Sequence, residues 1–171
     1  RRRTITTNSR VTRSGYSNRR NLFLCADSAN ARTGTTLILH PRFELEAVMR
    51  DLVRKRPTVF PGVPTMYTAI ANHKDAPTAD LSSIKFCMSG GAPLPVEVKQ
   101  RFEQMTGAKV FEGYGLTETS PVATCNPING INKPGSIGQP VPGTEILIYD
   151  REDPMKPMPT GEPGEICIRG P

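Results

Sequence analysis

Two short stretches of this 171-residue chain bring together residue types that can do chemistry. Residues 89–93 (SGGAP) hold paired glycines, where backbone can approach a flat ligand without interference from a Cβ. Residues 113–118 (GYGLTE) add the ring of Tyr114, the hydroxyl of Thr117 and the carboxylate of Glu118. Together they suit a nucleotide: a face for a purine, a donor for a phosphate and a hard oxygen ligand for Mg²⁺. Each element alone has a plainer reading. A Gly-Gly after a strand can close a tight turn, a loop Glu can be a solvated charge or a helix cap, and Tyr114 can simply cover a sheet end. The combination matters because both stretches follow strand-like runs, and ligands of open parallel sheets collect beyond the carboxyl ends of the strands.

The elements that would carry these loops are legible from residue 34 onward. Residues 35–39 (TTLIL) form a β-branched apolar run that reads as a buried strand. Residues 44–56 place Leu45, Val48, Met49, Leu52 and Val53 on one helical face, with Glu44 and Glu46 in the first turn and Arg54, Lys55 and Arg56 in the last; Pro57 stops the helix. A short strand over 58–60 leads to Pro64, which suits the first turn of a helix reaching about residue 72. Residues 84–88 (IKFCM) predict a third strand, residues 95–106 a helix capped by Gly107, and residues 109–112 (KVFE) a fourth strand. The helix over 95–106 joins the two strands whose ends bear the loops, so the loops should lie side by side. Strand–helix alternation with short connections predicts an α/β fold with a largely parallel sheet and crossover helices. After Thr119 the style changes: 145–149 (EILIY) and 165–169 (EICIR) are strands between Pro/Gly-rich loops. The expected division is a basic segment over 1–33, an α/β subdomain over 34–133 and a β-rich subdomain over 134–171.

Composition bounds the reading. No apolar run approaches the ~18 residues of a membrane span. The four cysteines (Cys25, Cys87, Cys125, Cys167) form no C-x-x-C pair and only His40 and His73 could join them, a poor basis for structural zinc. Scattered cysteines read as free thiols in a reducing, cytoplasmic compartment. The formal charge is +6, but residues 1–33 carry eight Arg and one acid, a balance of +7, whereas residues 34–171 balance at −1. No nucleic-acid partner is therefore expected for the body of the protein. Residues 1–33 show no sustained period and read as disordered or foreign; a transit peptide or a basic arm touching nucleic acid or lipid are the alternatives. The start at Arg1 and the end just after a strand-like run suggest an interior piece of a longer protein.

The runs GYGLTETSP (113–121), SGGAPL (89–94) and GEICIRG (164–170), taken together, resemble the adenylate-forming enzymes: acyl-CoA synthetases, luciferases and peptide-synthetase adenylation domains. With PTVFPGVPTMY (57–67) and LSSIKFCMSGGAPLP (81–95), the wording is most similar to bacterial long-chain fatty-acid–CoA ligases. The likeness covers roughly residues 34–171. It implies that the β-rich part begins a distorted barrel and that the whole is part of a larger N-terminal domain. It also implies a two-step ligation: a fatty-acid carboxylate attacks the α-phosphate of ATP, giving an acyl-adenylate, and the CoA thiol then displaces AMP.

Carried over residue by residue, Gly91, Ala92 and Pro93 would line the adenine and the acyl-pocket wall. Glu112, Gly113, Tyr114 and Gly115 would continue the adenine slot, Thr117 would hydrogen-bond the α-phosphate, and Glu118 would hold Mg²⁺. Val63, Pro64 and Tyr67 either border the acyl tunnel or are plain core. The family's Lys-bearing phosphate loop, its aromatic-His segment, its ribose-binding Asp and its catalytic C-terminal Lys have no counterpart here, so this chain alone should be inactive. A fatty-acid substrate would bring the enzyme to the inner face of a membrane as a peripheral visitor, although no amphipathic anchor is legible. Oligomeric state is not encoded in any pattern seen. The alternatives are an adenylate-forming relative with another acceptor, an aryl-CoA ligase, or a non-catalytic remnant with a basic arm.

Overall fold

A computed structural model describes residues 4–8 (as backbone), 35–119 and 121–170. Seven strands form one sheet in the order β2-β1-β3-β4-β5-β6-β7: β1 Thr4–Asn8, β2 Thr36–His40, β3 Val59–Gly62, β4 Phe86–Ser89, β5 Lys109–Tyr114, β6 Thr124–Cys125 and β7 Gln139–Pro140. The first five are parallel, and β6 and β7 run antiparallel at the far edge. Helices α1 Leu45–Lys55, α2 Pro64–Ala71 and α3 Val96–Thr106 make the crossovers. The connections β2 to β3, β3 to β4 and β4 to β5 move the same way along the sheet, so right-handed crossovers put these three helices on one face.

The core lies between that face and the helices. Val48, Met49 and Leu52 of α1 are buried as their spacing predicts, while Val53 sits at the rim of the stripe and is 39% exposed. At the centre, Tyr67 of α2 meets Phe60 of β3 and Phe102 of α3 edge-on, with ring centroids 5.5 and 4.9 Å apart. All three rings are fully buried, each contributing about 1.5–3 kcal/mol by leaving water. Tyr67 therefore takes the core reading. Its hydroxyl sits 2.8 Å from the Phe60 carbonyl and 3.0 Å from that of Met88, bridging two strands, and burial pushes its ionisation well above the usual tyrosine range. On the opposite face Phe86 and Phe111 stack at 5.1 Å.

Three expectations change. Residues 1–33 are read from sequence as holding no regular element, yet β1 occupies Thr4–Asn8 between β2 and β3. A five-residue strand paired on both sides needs no period of its own, because its neighbours supply the hydrogen bonds. The apolar run over 21–26 and Cys25 lie outside the described residues. Second, the run 84–88 becomes strand only from Phe86. Ile84 closes a turn onto Leu81, and the amides of Lys85 and Phe86 both donate to the Thr58 carbonyl. Third, the sheet continues past residue 134, since β7 pairs with β6. Beyond β7 the chain forms a separate antiparallel ribbon, β8 Glu145–Tyr149 with β9 Glu165–Arg169; no closed barrel forms among the described residues.

Candidate nucleotide site

The ladder between β4 and β5 ends with Ser89 opposite Glu112, and β5 runs on to Tyr114. Beyond Ser89, the Gly90 amide donates to the Gly62 carbonyl of β3 at 3.3 Å, which starts the glycine loop over three strand ends. Gly91 adopts φ +82°, a left-handed turn that favours glycine, and Gly91, Ala92 and Pro93 are exposed. The loop then returns to the sheet: the Leu94 amide donates to Glu112 Oε2 at 3.3 Å. One carboxylate on β5 thus ties down the loop that follows β4, and Gly91–Pro93 and Glu112–Gly115 are brought to one edge as the crossover predicts.

Glu112 is only 8% exposed, and its second oxygen, Oε1, has no hydrogen-bond partner among the described residues; nor, among them, has the Ser89 hydroxyl, 1% exposed. Unpaired buried polar atoms are costly, about 1–3 kcal/mol each, and two at register positions at a loop-lined sheet edge suit a ligand rich in polar groups.

The second loop is closed on itself. Gly115 lies against the returning chain so tightly that a Cβ there would come 1.8 Å from the Pro121 carbonyl oxygen. The Thr119 hydroxyl accepts from the Leu116 amide at 2.9 Å and lies 3.1 Å from the Pro121 carbonyl, while the Ala123 amide donates to the Tyr114 carbonyl at 2.9 Å. Tyr114 is half-buried beside this closure. Thr117 and Glu118 stand exposed on the short 3₁₀ turn Thr117–Thr119. Among the described residues no group of three or more His, Cys, Asp or Glu could hold a metal, so Glu118 would act as a single carboxylate. Sequence reasoning gave no separate role to Ser89 or Thr119. Ser89 faces Glu112 only through strand register, whereas the Thr119 closure between Leu116 and Pro121 is local and set by how the turn folds.

A family profile described as AMP-binding enzyme matches residues 29–171. The long-chain-fatty-acid–CoA ligase of Bacillus subtilis is 49% identical over 140 residues, 82% of this chain and 25% of that protein. The ATP-bound crystal structure of MatB from Rhodopseudomonas palustris superposes with a TM-score of 0.83 at 26% identity, covering 99% of this chain and 32% of that one. An anthranilate CoA ligase in complex with anthranoyl-AMP superposes with a TM-score of 0.74 at 33% identity, over 81% of this chain and 27% of that one. The chain spans about a quarter of the length of the curated relatives it matches.

Proposed function

The chain belongs to the AMP-binding enzyme family, and on that premise we propose that it is the adenylate-gripping part of an AMP-forming ligase that activates a long-chain fatty acid with ATP and passes it to CoA. The observation that carries this reading is the junction at Glu112, where one buried carboxylate holds the Gly91–Pro93 loop beside the Tyr114 loop and keeps one oxygen free for a ligand. Gly91, Ala92 and Pro93 form one wall of the adenine slot, and Glu112, Gly113, Tyr114 and Gly115 the other. The Tyr114 ring packs on the base, and the exocyclic amine of adenine is the kind of donor that Glu112 Oε1 lacks.

Thr117 hydrogen-bonds the α-phosphate, where negative charge builds as the fatty-acid carboxylate attacks phosphorus. Glu118 holds Mg²⁺. A lone exposed carboxylate fits that ion, which keeps several waters and takes its remaining oxygens from substrate phosphates. When bound, Mg²⁺ neutralises charge on the departing pyrophosphate. The reaction needs no protein nucleophile, in keeping with the thiols here: burial pushes the Cys87 thiol far up and that of Cys125 up as well.

The 49% identity to the Bacillus subtilis ligase supports the long-chain fatty acid as substrate; the likeness to an anthranilate ligase makes an aryl acid the runner-up. Residues 1–171 on their own bind nucleotide weakly and do not turn over, because the resemblance assigns the Lys-bearing phosphate loop and the closing Lys to sequence outside these residues. No helix among the described residues is long and apolar enough to cross a membrane, and contact with the bilayer is peripheral, through the substrate. The test is ATP–pyrophosphate exchange by the polypeptide that carries this segment in frame, run with fatty, aromatic and amino acids. Exchange stimulated by palmitate is expected. Stimulation by aromatic or amino acids alone would move the substrate class, and acyl-CoA formation by the 171 residues alone would refute the claim that they are insufficient.

A further inference from the structure

Strand β5 is covered on one side by β4 along Lys109–Glu112, but on the other side β6 reaches only Gly113 and Tyr114. Below that point the edge is completed by side chains. Glu103 Oε1 accepts the Val110 amide at 2.8 Å, and Asn132 Nδ2 donates to the Val110 carbonyl at 2.9 Å. The buried Lys99 amine in turn donates to Asn132 Oδ1 at 2.8 Å. One register step further on, Asn126 takes the Glu112 carbonyl twice, from its backbone amide at 2.9 Å and from Nδ2 at 3.3 Å. Asn126 is 2% exposed, and its carboxamide is fully used. Nδ2 also donates to the Ser136 carbonyl at 2.6 Å, and Oδ1 accepts the Lys133 amide at 3.2 Å. The loop over 126–136 is thus folded around one amide group whose other hand holds the peptide between Glu112 and Gly113.

We propose that Asn126 is a positioning residue of the nucleotide site: it fixes the Glu112 carbonyl, and through it the Glu112 carboxylate and the Tyr114 ring, whereas Asn132 props the same edge without reaching the site. This rests on the adenylate reading above.

The test titrates the 171-residue chain with adenosine 5′-monophosphate, following the Gly113 and Tyr114 amides by NMR, with urea unfolding measured in parallel. Three variants are compared with the native chain: Asn126→Ala, the isosteric Asn126→Asp, which keeps the acceptor for Lys133 and the backbone amide but loses the side-chain donor to Glu112 and Ser136, and Asn132→Ala. Both alanine variants should lower the urea midpoint. Only the Asn126 variants should weaken nucleotide binding, by about tenfold, while Asn132→Ala stays within about twofold. Equal losses of affinity at both positions, or native affinity in either Asn126 variant, would overturn the assignment. So would failure of both Asn126 variants to fold, which would make the residue structural. Absence of any shift in the native chain would instead remove the nucleotide reading and this inference with it.

Discussion

Replacing Gly115 by alanine puts a methyl group into the place where the chain crosses itself. The added Cβ would lie 1.8 Å from the Pro121 oxygen, 2.7 Å from its carbonyl carbon and 2.8 Å from Val122 Cα, all of them backbone atoms. To reach ordinary contact at 3.4 Å the returning segment must retreat by at least about 1.6 Å. That retreat breaks the contact of Thr119 Oγ1 with the Pro121 carbonyl and loosens the bond from the Ala123 amide to the Tyr114 carbonyl. Two such bonds are worth about 1–3 kcal/mol together, and the cost cannot greatly exceed this because the loop can open without unfolding the core. Urea unfolding should therefore show a loss of about 1–3 kcal/mol, and affinity for adenosine monophosphate should fall at least about tenfold, since the Tyr114 wall moves. Gly107→Ala is the control. With φ +71° and nothing within 4 Å, it should cost roughly 1 kcal/mol of backbone strain and leave nucleotide affinity unchanged. If Gly115→Ala binds nucleotide as the native chain does, the closed loop is not what shapes the site.

The Glu112 junction is tested by Glu112→Ala, which should lose about 1–2 kcal/mol in urea unfolding and weaken nucleotide binding, whereas Glu112→Gln, which keeps an oxygen for the Leu94 amide, should retain most of the stability. Tyr67→Phe keeps the ring contacts but removes the hydroxyl that bridges β3 and β4, at about 1 kcal/mol. Because burial raises the Tyr67 pKa above its unfolded value of about 10, its contribution is complete below that pH and is lost as pH climbs beyond it; urea midpoints above about pH 10 should fall more steeply for the native chain than for Tyr67→Phe. The Asp80 carboxyl is held down to about 2, first by the Ser82 hydroxyl and then by Arg56 and the Ser82 amide, so Ser82→Ala and Arg56→Ala should each raise its NMR titration midpoint. An unmoved midpoint in either variant would remove that partner from the account.

Helix α1 was readable because Val48, Met49 and Leu52 repeat at the helical period and their burial follows from that period alone. The pairing of the two loops was readable too, since a crossover helix places consecutive parallel strands side by side. What escaped depends on chain segments meeting. The Thr-rich TITTN of β1 has too little apolar pattern to mark a strand flanked by two others. The alternatives for Tyr67 were resolved by where Phe60 and Met88 present their carbonyls. Ser89 meets Glu112 through strand register and Asn126 holds carbonyls of Glu112 and Ser136 distant in sequence, so spacing could not assign them, whereas the Thr119 closure onto Leu116 and Pro121 is local but set by how the turn folds. The continuation of the sheet into β7 likewise depends on the loop folded around Asn126, which brings Gln139 opposite Cys125.

The free cysteines among the described residues form a graded set: Cys167 exposed on the β8–β9 ribbon, Cys125 half-covered on β6 and Cys87 sealed in the core. Their thiols therefore serve as a clock with three hands. A slow alkylating reagent would mark the ribbon at once, the sheet edge as it breathes and the centre only when the helices lift from β4, so successive additions of mass would time the opening of each layer in an unmutated chain.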